Sequence, residues 1–252
     1  TYSALPDFDL QVAGENLSFM DRLTDLGFTV YALDGRGYGD TPRDSSGWLT
    51  PDRAVRDAIA AIAWIKNKES DNIHLYGWSY GSMVAQLVAQ RRPELLASIM
   101  LFGYPFDPDR HVKDENVEYP SDPSRQLNTA VHAASDFIVA DTISNKAIQA
   151  YVDQALVADP IRVDFKNLHE WAEMDASKVT VPTLLMQAEH DPLAATPLQL
   201  NLFTKIPTAK KWWVVLANGD HAALLESSSA EMLRAMNAFM TQIESEPVKP
   251  AS

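Results

Sequence analysis

The sequence predicts an α/β fold, in which a mostly parallel sheet is flanked by helices and interrupted by a helical lid insertion. Short β-rich runs alternate with runs of helical periodicity, as in sheets whose parallel strands are joined by crossover helices. The alternation stops over residues 107–177 and resumes after them. We therefore expect residues 1–106 and 178–252 to form the core, with residues 107–177 as a cap over the carboxyl edge of the sheet.

The predicted elements before the insertion follow from local patterns. Residues 1–10 are expected to be loop and residues 14–26 a helix, and residues 28–33 form the first β-rich run. Thr50 and Pro51 mark the start of a helix, because Thr is a favoured N-cap and Pro suits the first helical turn. Further strands are predicted over residues 72–76 and 98–102, with a helix over residues 83–90.

The insertion has a different composition from the core. It opens with a loop over residues 107–124 that is rich in Pro and charged residues. Helices are predicted within it over residues 127–139, 144–157 and 165–174, with no strand between them. After the insertion, strands are predicted over residues 181–186 and 212–216, with helices over residues 197–204 and 230–243.

Composition narrows the classes of function. The chain has 252 residues, 46% of them hydrophobic, which suffices for one large core. Its net charge of −13 disfavours nucleic-acid binding, which needs clustered Lys and Arg. No apolar run approaches the roughly 20 residues of a membrane span, so we expect no membrane partner. The absence of Cys excludes disulfides, thiolate metal sites and a Cys nucleophile.

A nucleophile turn is predicted at residues 77–81, which match the pattern Gly-x-Ser-x-Gly. A predicted strand precedes the motif and a predicted helix follows it, as this turn requires. Ser79 is therefore the candidate nucleophile. The glycines on either side allow close approach of the backbone, and the backbone N–H of Tyr80 is the candidate oxyanion donor.

A serine nucleophile needs a base, and the base needs an orienting acid. In this kind of site the chain order is Ser, then acid, then His. Asp191 follows the strand that resumes after the insertion and is favoured as the acid over Glu189, because it lies further past the strand end. His221 is favoured among six His residues, because it follows the last strand in a loop containing Gly219. We expect the neighbouring Asp220 to face solvent or to cap backbone amides.

Together these residues resemble the α/β-hydrolase superfamily, in its capped serine hydrolase branch. Residues 34–39 (Asp-Gly-Arg-Gly-Tyr-Gly) are similar to a family loop, and residues 221–226 are similar to the family's His loop with its trailing acid. The resemblance implies a serine hydrolase that needs no metal or organic cofactor. We expect such an enzyme to cleave an ester, lactone or amide bond of a small, largely apolar substrate through an acyl-enzyme.

One family feature is missing from the sequence. The family carries a central strand followed by His-Gly before the region that begins here, and the loop after that strand supplies a second oxyanion donor. We expect this segment to lie on a separate N-terminal polypeptide that completes the fold, or to belong to the protein but not to this sequence. A protein that truly lacks the segment is the alternative. Thr1 or Tyr2 is a candidate for the second oxyanion donor. Thr1 as an N-terminal nucleophile is a rival interpretation.

The bond cleaved and the substrate remain open at this point. Carbon–carbon bond hydrolysis or acyl transfer would use the same three residues, and a non-catalytic ligand-binding protein can share the fold. Aromatic residues beside the predicted site are candidates for substrate contact. These are Trp78, Tyr104, Phe106 and Trp171.

Overall fold

The structure is a computed structural model that describes residues 4–69, 72–109, 124–163 and 165–245. In those residues the strands are β1 (His74–Trp78), β2 (Ser98–Phe102), β3 (Gln126–Leu127), β4 (Ile161–Val163), β5 (Thr183–Ala188) and β6 (Lys211–Leu216). The main sheet is parallel and has the order β1-β2-β5-β6, whereas β3 and β4 form a separate antiparallel pair. The predicted parallel sheet is therefore confirmed.

Helices flank this sheet. Within the described residues they are α1 (Ala4–Phe8), α2 (Phe19–Asp25), α3 (Pro51–Lys68), α4 (Tyr80–Arg91), α5 (Ala130–Ala133), α6 (Asn145–Ala158), α7 (Thr196–Lys205) and α8 (Ser229–Ser245). Short 3₁₀ helices lie at Pro93–Leu95, Leu168–Glu173 and Ala176–Lys178. None of the helices in this part of the chain is both long and apolar enough to cross a membrane.

Two hydrophobic clusters lie on the two faces of the sheet. Alternate residues of β2 enter different clusters, with Met100 and Phe102 in one and Ile99 and Leu101 in the other. This follows from the two-residue period of a strand, which sends neighbouring side chains to opposite faces. Strands β2 and β5 are buried along their whole length, as expected where helices cover both faces of a parallel sheet.

Local sequence signals placed several elements accurately. Helix α3 begins at Pro51, and Thr50 caps it by accepting a hydrogen bond from the N–H of Arg53. Strand β2 has the predicted bounds, and β1, β5, α4, α6, α7 and α8 lie within a few residues of theirs.

The predicted strand over residues 28–33 is wrong. The segment has no regular secondary structure, and in the described residues the sheet ends at β1. A strand exists only through pairing, so a β-rich run without a neighbouring strand remains coil. Tyr31 instead packs edge-on against Trp64 and donates a hydrogen bond to Glu69. That a further polypeptide strand pairs at this edge stays a prediction.

The N-terminal region also differs from the prediction. Residues 4–8 form α1 rather than loop, and the helix predicted over residues 14–26 is reduced to α2. The reduction has a local cause, because Gly14 has a φ of 84° and the side chain of Ser18 accepts from the N–H of Asp21, which starts the helix there.

The insertion was predicted to lack strands, and this is wrong, because β3 pairs with β4. The helix predicted over residues 127–139 is only the four-residue α5, since the N–H groups of Ile138 and Val139 bond to Asp220 instead of to helical carbonyls. The third predicted helix is the 3₁₀ helix Leu168–Glu173. Most of the loop predicted over residues 107–124 lies outside the described residues.

Candidate active site

The candidate nucleophile lies on a sharp turn between β1 and α4. Ser79 has a φ of 52° and a ψ of −119°, a conformation that few L-residues adopt and that surrounding contacts must hold. A Cβ added to Gly77 would lie 2.3 Å from the carbonyl oxygen of Gly81, so only glycine fits there. Ser79 itself is partly exposed. The turn therefore leaves Ser79 in part accessible to solvent.

The start of α4 supplies polar backbone groups next to Ser79. Tyr80 is the first residue of this helix, so its N–H has no acceptor within the helix. The N–H and the hydroxyl of Ser82 both bond to the carbonyl of Ser79, at 2.9 Å and 2.5 Å. The other candidate oxyanion donors, Thr1 and Tyr2, lie outside the described residues.

His221 and Asp191 form a direct buried pair. Nδ1 of His221 is 2.8 Å from Oδ2 of Asp191, and the two residues are only 2% and 5% exposed. The other carboxylate oxygen of Asp191 accepts the N–H of Leu193 at 2.9 Å. The competing acid, Glu189, is exposed and accepts a hydrogen bond from the N–H of Asn218.

The electrostatic environment of His221 favours its protonated form. Burial acts to lower the pKa of the imidazole. The hydrogen bond and charge of Asp191 oppose this, with smaller contributions from Asp136 and Asp220, and the net result is a pKa raised above the ordinary value of 6.5. The raised pKa makes the imidazole a stronger base, and Nδ1 is the ring nitrogen that contacts Asp191.

Gly103 connects the nucleophile turn to the His–Asp pair, and sequence reasoning missed it. The N–H of Ser79 bonds to the carbonyl of Phe102 at 2.8 Å, so the end of β2 lies beside the nucleophile turn. At the next residue, Gly103 has a φ of 59°, and a Cβ there would lie 3.0 Å from Cε1 of His221 and 3.2 Å from Oδ2 of Asp191. A glycine directly after a buried strand was the available signal.

The four aromatic candidates divide into two pairs. The ring of Trp78 lies 5.5 Å from that of His221, and Trp171 packs edge-on against Tyr80 at 5.3 Å. All four belong to the buried hydrophobic clusters, but no ring contact with His221 or Tyr80 is described for Tyr104 or Phe106; Tyr104 is fully buried and donates a hydrogen bond to the side chain of Gln86 on α4.

The predicted cap segment covers the residue that follows the nucleophile. Phe165 stacks on the ring of Tyr80 with centroids 4.8 Å apart, and Trp171 makes the edge-on contact with the same ring. A cavity of about 650 Å³ lies within the same segment and is lined by residues 137–145 and Ile148. In the described residues, no three His, Asp or Glu side chains are grouped so that they could hold a metal ion.

Asp220 was expected to face solvent or to cap amides, and only the second alternative agrees with the structure. It is fully buried, and its carboxylate accepts the N–H groups of Ile138, Val139 and Ala222. Glu226, whose role was also missed, is buried beside it and accepts the N–H of Asp220.

Fold and site together define an α/β-hydrolase. The model of the family described as serine aminopeptidase, S33, matches residues 12–228. The chain belongs to this family and is a serine hydrolase.

Solved structures of other hydrolases are similar in fold. A monoacylglycerol lipase from Paleococcus ferrophilus aligns with a TM-score of 0.61 at 18% identity, over 89% of this chain and 87% of that chain. A thermophilic esterase from Thermogutta terrifontis aligns at 0.59 with 18% identity, over 83% and 78%. A thioesterase domain from the curacin biosynthetic pathway aligns at 0.54 with 16% identity, over 81% and 79%. At such low identity these likenesses show the fold.

Proposed function

We propose that the chain hydrolyses an ester of a small, largely apolar acid or alcohol, with Ser79 as nucleophile, His221 as base and Asp191 as orienting acid. The observation that carries this proposal is the 2.8 Å contact between His221 and Asp191 next to the nucleophile turn. Gly103 supports the proposal, because it lies against both His221 and Asp191, and the carbonyl of its neighbour Phe102 accepts the N–H of Ser79.

The chemistry has two acyl-transfer steps. Nε2 of His221 takes the proton of Ser79 as the hydroxyl oxygen attacks the substrate carbonyl, and the same proton then goes to the departing alkoxide. A water molecule next loses a proton to His221 and attacks the acyl-enzyme. Collapse of this second intermediate returns the proton to the Ser79 oxygen and releases the acid.

Two structural features assist these steps. The backbone N–H of Tyr80, in the first turn of α4, is the proposed donor to the oxyanion in each intermediate. Asp191 stabilises the imidazolium that forms transiently, which agrees with the raised pKa of His221. Each assists the charged intermediate more than the neutral ester, as catalysis requires.

The apolar character of the substrate is inferred from the cap segment. The aromatic rings of Phe165 and Trp171 both pack against the ring of Tyr80, the residue that follows Ser79. The names of the similar structures (lipase, esterase and thioesterase) are all consistent with acyl transfer to water. A lactone or an amide would use the same groups.

Labelling with a fluorophosphonate probe, combined with hydrolysis of p-nitrophenyl acyl esters, tests this proposal. We expect one adduct, mapped to Ser79 by peptide mass spectrometry. Ser79→Ala should abolish the adduct and lower kcat/KM about a thousandfold or more. Ser45→Ala, which changes an exposed serine, is the matched control and should leave both unchanged. Labelling elsewhere, or full activity of Ser79→Ala, would overturn the assignment.

A further inference from the structure

Two buried acids other than Asp191, namely Asp220 and Glu226, lie in the loop that carries His221. Asp220 is fully buried, and its Oδ2 accepts the N–H groups of Ile138 and Val139 at 2.5 Å and 2.7 Å. Its Oδ1 accepts the N–H of Ala222 at 2.8 Å. One carboxylate thus fastens residues 138 and 139 of the cap segment to the backbone on both sides of His221.

Glu226 extends this connection. It is 3% exposed, and its Oε2 accepts the N–H of Asp220 at 3.1 Å. Its Oε1 lies 2.6 Å from the hydroxyl oxygen of Thr142, and that hydroxyl lies 2.9 Å from the carbonyl oxygen of Val139. The N–H of Ser227 also bonds to the carbonyl of Thr142 at 2.8 Å. We call residues 138–142 the clamp loop.

The hydrogen atoms in this arrangement can be counted. The hydroxyl of Thr142 has one hydrogen to donate, whereas the Val139 carbonyl and an ionised Glu226 would both only accept. Both short contacts of Thr142 can be separate two-centre hydrogen bonds only if Glu226 carries a proton on Oε1. The neutral acid then donates to Thr142, and Thr142 donates to Val139.

The electrostatic surroundings of Glu226 agree with this count. Burial raises the pKa of the Glu226 carboxyl to about 7; the hydrogen bond with Thr142 acts to lower this pKa, whereas the charge of Asp220 and a side-chain hydrogen bond with Asp220 act to raise it. On α2, Arg22 bonds to the hydroxyl of Ser229, which in turn donates to the backbone carbonyl of Glu226.

The other ionisable groups near this pair sit on the His loop and the cap segment. His221 is held by Asp191, and Asp136 contributes charge to His221. Asp141 of the clamp loop is exposed. Asp220 is therefore the charged group that bears most directly on the ionisation of Glu226.

We propose that Glu226 is a neutral carboxylic acid whose hydrogen bonds hold the clamp loop against the loop of residues 220–226, which carries His221. Ionisation of Glu226 breaks this attachment, which we call the lock. Loss of the proton leaves Thr142 with one hydrogen for two acceptors and places a second negative charge beside buried Asp220. Glu226 and Asp220 are thus positioning residues. They act on the catalytic base through the adjoining backbone, and this part of the inference rests on the proposed function.

Glu226→Gln is the informative substitution. Its amide nitrogen can donate to Thr142 and its oxygen can accept from Asp220, so it imitates the neutral acid and cannot ionise. Because the pKa of Glu226 is raised on folding, its contribution to stability is complete below its unfolded value and is lost as pH rises through about 7. We therefore expect the Tm advantage of Glu226→Gln over wild type to grow by about 4 °C or more between pH 5.5 and 8.5.

The pH profile of ester hydrolysis is the second measurement. Because the pKa of His221 is raised above 6.5 and that of Glu226 is about 7, the two ionisations overlap, so the ionisation of Glu226 should weaken the rise of wild-type kcat/KM with pH. Glu226→Gln should show the full rise to a plateau. Glu231→Gln changes a nearby glutamate on α8 and should follow wild type in both measurements. Identical pH dependence of Tm in Glu226→Gln and wild type would overturn the proposal.

Thr142 provides a variant that does not alter either acid. Thr142→Ser keeps the hydroxyl and should behave as wild type, while Thr142→Val should lower Tm more at pH 5.5, where the proton bridge is intact, than at pH 8.5. Equal losses at both pH values would contradict the lock. The Tm measurements require no turnover, so they test the lock even if Ser79 proves not to be the nucleophile.

Discussion

His221 is held from two directions by acids that work in different ways. Asp191 follows β5 and contacts the imidazole itself, Nδ1 to Oδ2, at 2.8 Å. Asp220 and Glu226 accept hydrogen bonds from backbone amides, Glu226 also contacts the hydroxyl of Thr142, and through these contacts they reach into the predicted cap segment rather than to the ring. On the proposed function, Asp191 would set the protonation and tautomer of the base, whereas Asp220 and Glu226 would set where the base lies relative to the predicted cap.

This difference predicts unequal consequences for similar substitutions. Removing the charge of Asp191, which contacts the imidazole, changes the reacting group directly. Removing the charge of Asp220 or Glu226, which contact the backbone, changes geometry and leaves the chemistry of the imidazole intact. The expected effects decrease in that order.

Asp191→Asn should have the largest effect. The amide can place an N–H toward Nδ1, which favours the wrong tautomer of His221, and the imidazolium loses its stabilising charge. We expect kcat/KM for an activated ester to fall about a thousandfold to ten-thousandfold with Tm little changed. Glu189→Gln is the matched control, because Glu189 is the competing acid after the same strand, and its activity should remain near wild type. The reverse ranking would reassign the acid.

Gly103→Ala should have an intermediate effect, because the added methyl group would make a close contact with both His221 and Asp191. The Cβ would lie 3.0 Å from Cε1 of His221 at a positive φ, so clash and backbone strain act together. We expect kcat to fall about tenfold to a hundredfold, and strain to cost about 1–3 kcal/mol of stability.

Gly27→Ala separates the two causes of that effect. Gly27 also has a positive φ, but a Cβ there meets no atom within 4 Å. This control should lose stability and keep kcat. If both variants lose activity equally, the contact of Gly103 with His221 is not what matters.

The sequence could predict those features that depend on neighbouring residues. Thr50 and Pro51 placed the start of α3, because capping is decided within one turn. Ser79, Asp191 and His221 are predicted from the ends of predicted strands and from their chain order; the structure brings Asp191 and His221 into contact, and the catalytic roles of all three stay predictions.

Features that depend on distant partners could not be predicted in this way. Residues 28–33 have strand composition, but pairing decides whether a strand forms. The helix predicted over residues 127–139 stops early because Asp220, 82 residues beyond Ile138, takes the amide of that residue. Glu226 was read as the trailing acid of a family loop, since nothing in its own segment reveals Thr142.

Asp220→Asn should have the smallest effect on rate, and it tests whether Asp220 acts through backbone contacts rather than on the imidazole of His221. One oxygen can still accept hydrogen bonds, but an amide group must then face the N–H groups of Ile138 and Val139 or of Ala222. We expect a loss of about 2 kcal/mol in stability and only about a tenfold fall in kcat/KM, with the rise of activity with pH retained because Asp191 still holds the ring. Asp141→Asn, an exposed change in the clamp loop at a φ of 65° that asparagine tolerates, is the control and should leave both unchanged. A loss as large as that of Asp191→Asn would mean that Asp220 acts on the imidazole itself, and the distinction between the two sides of His221 would fail.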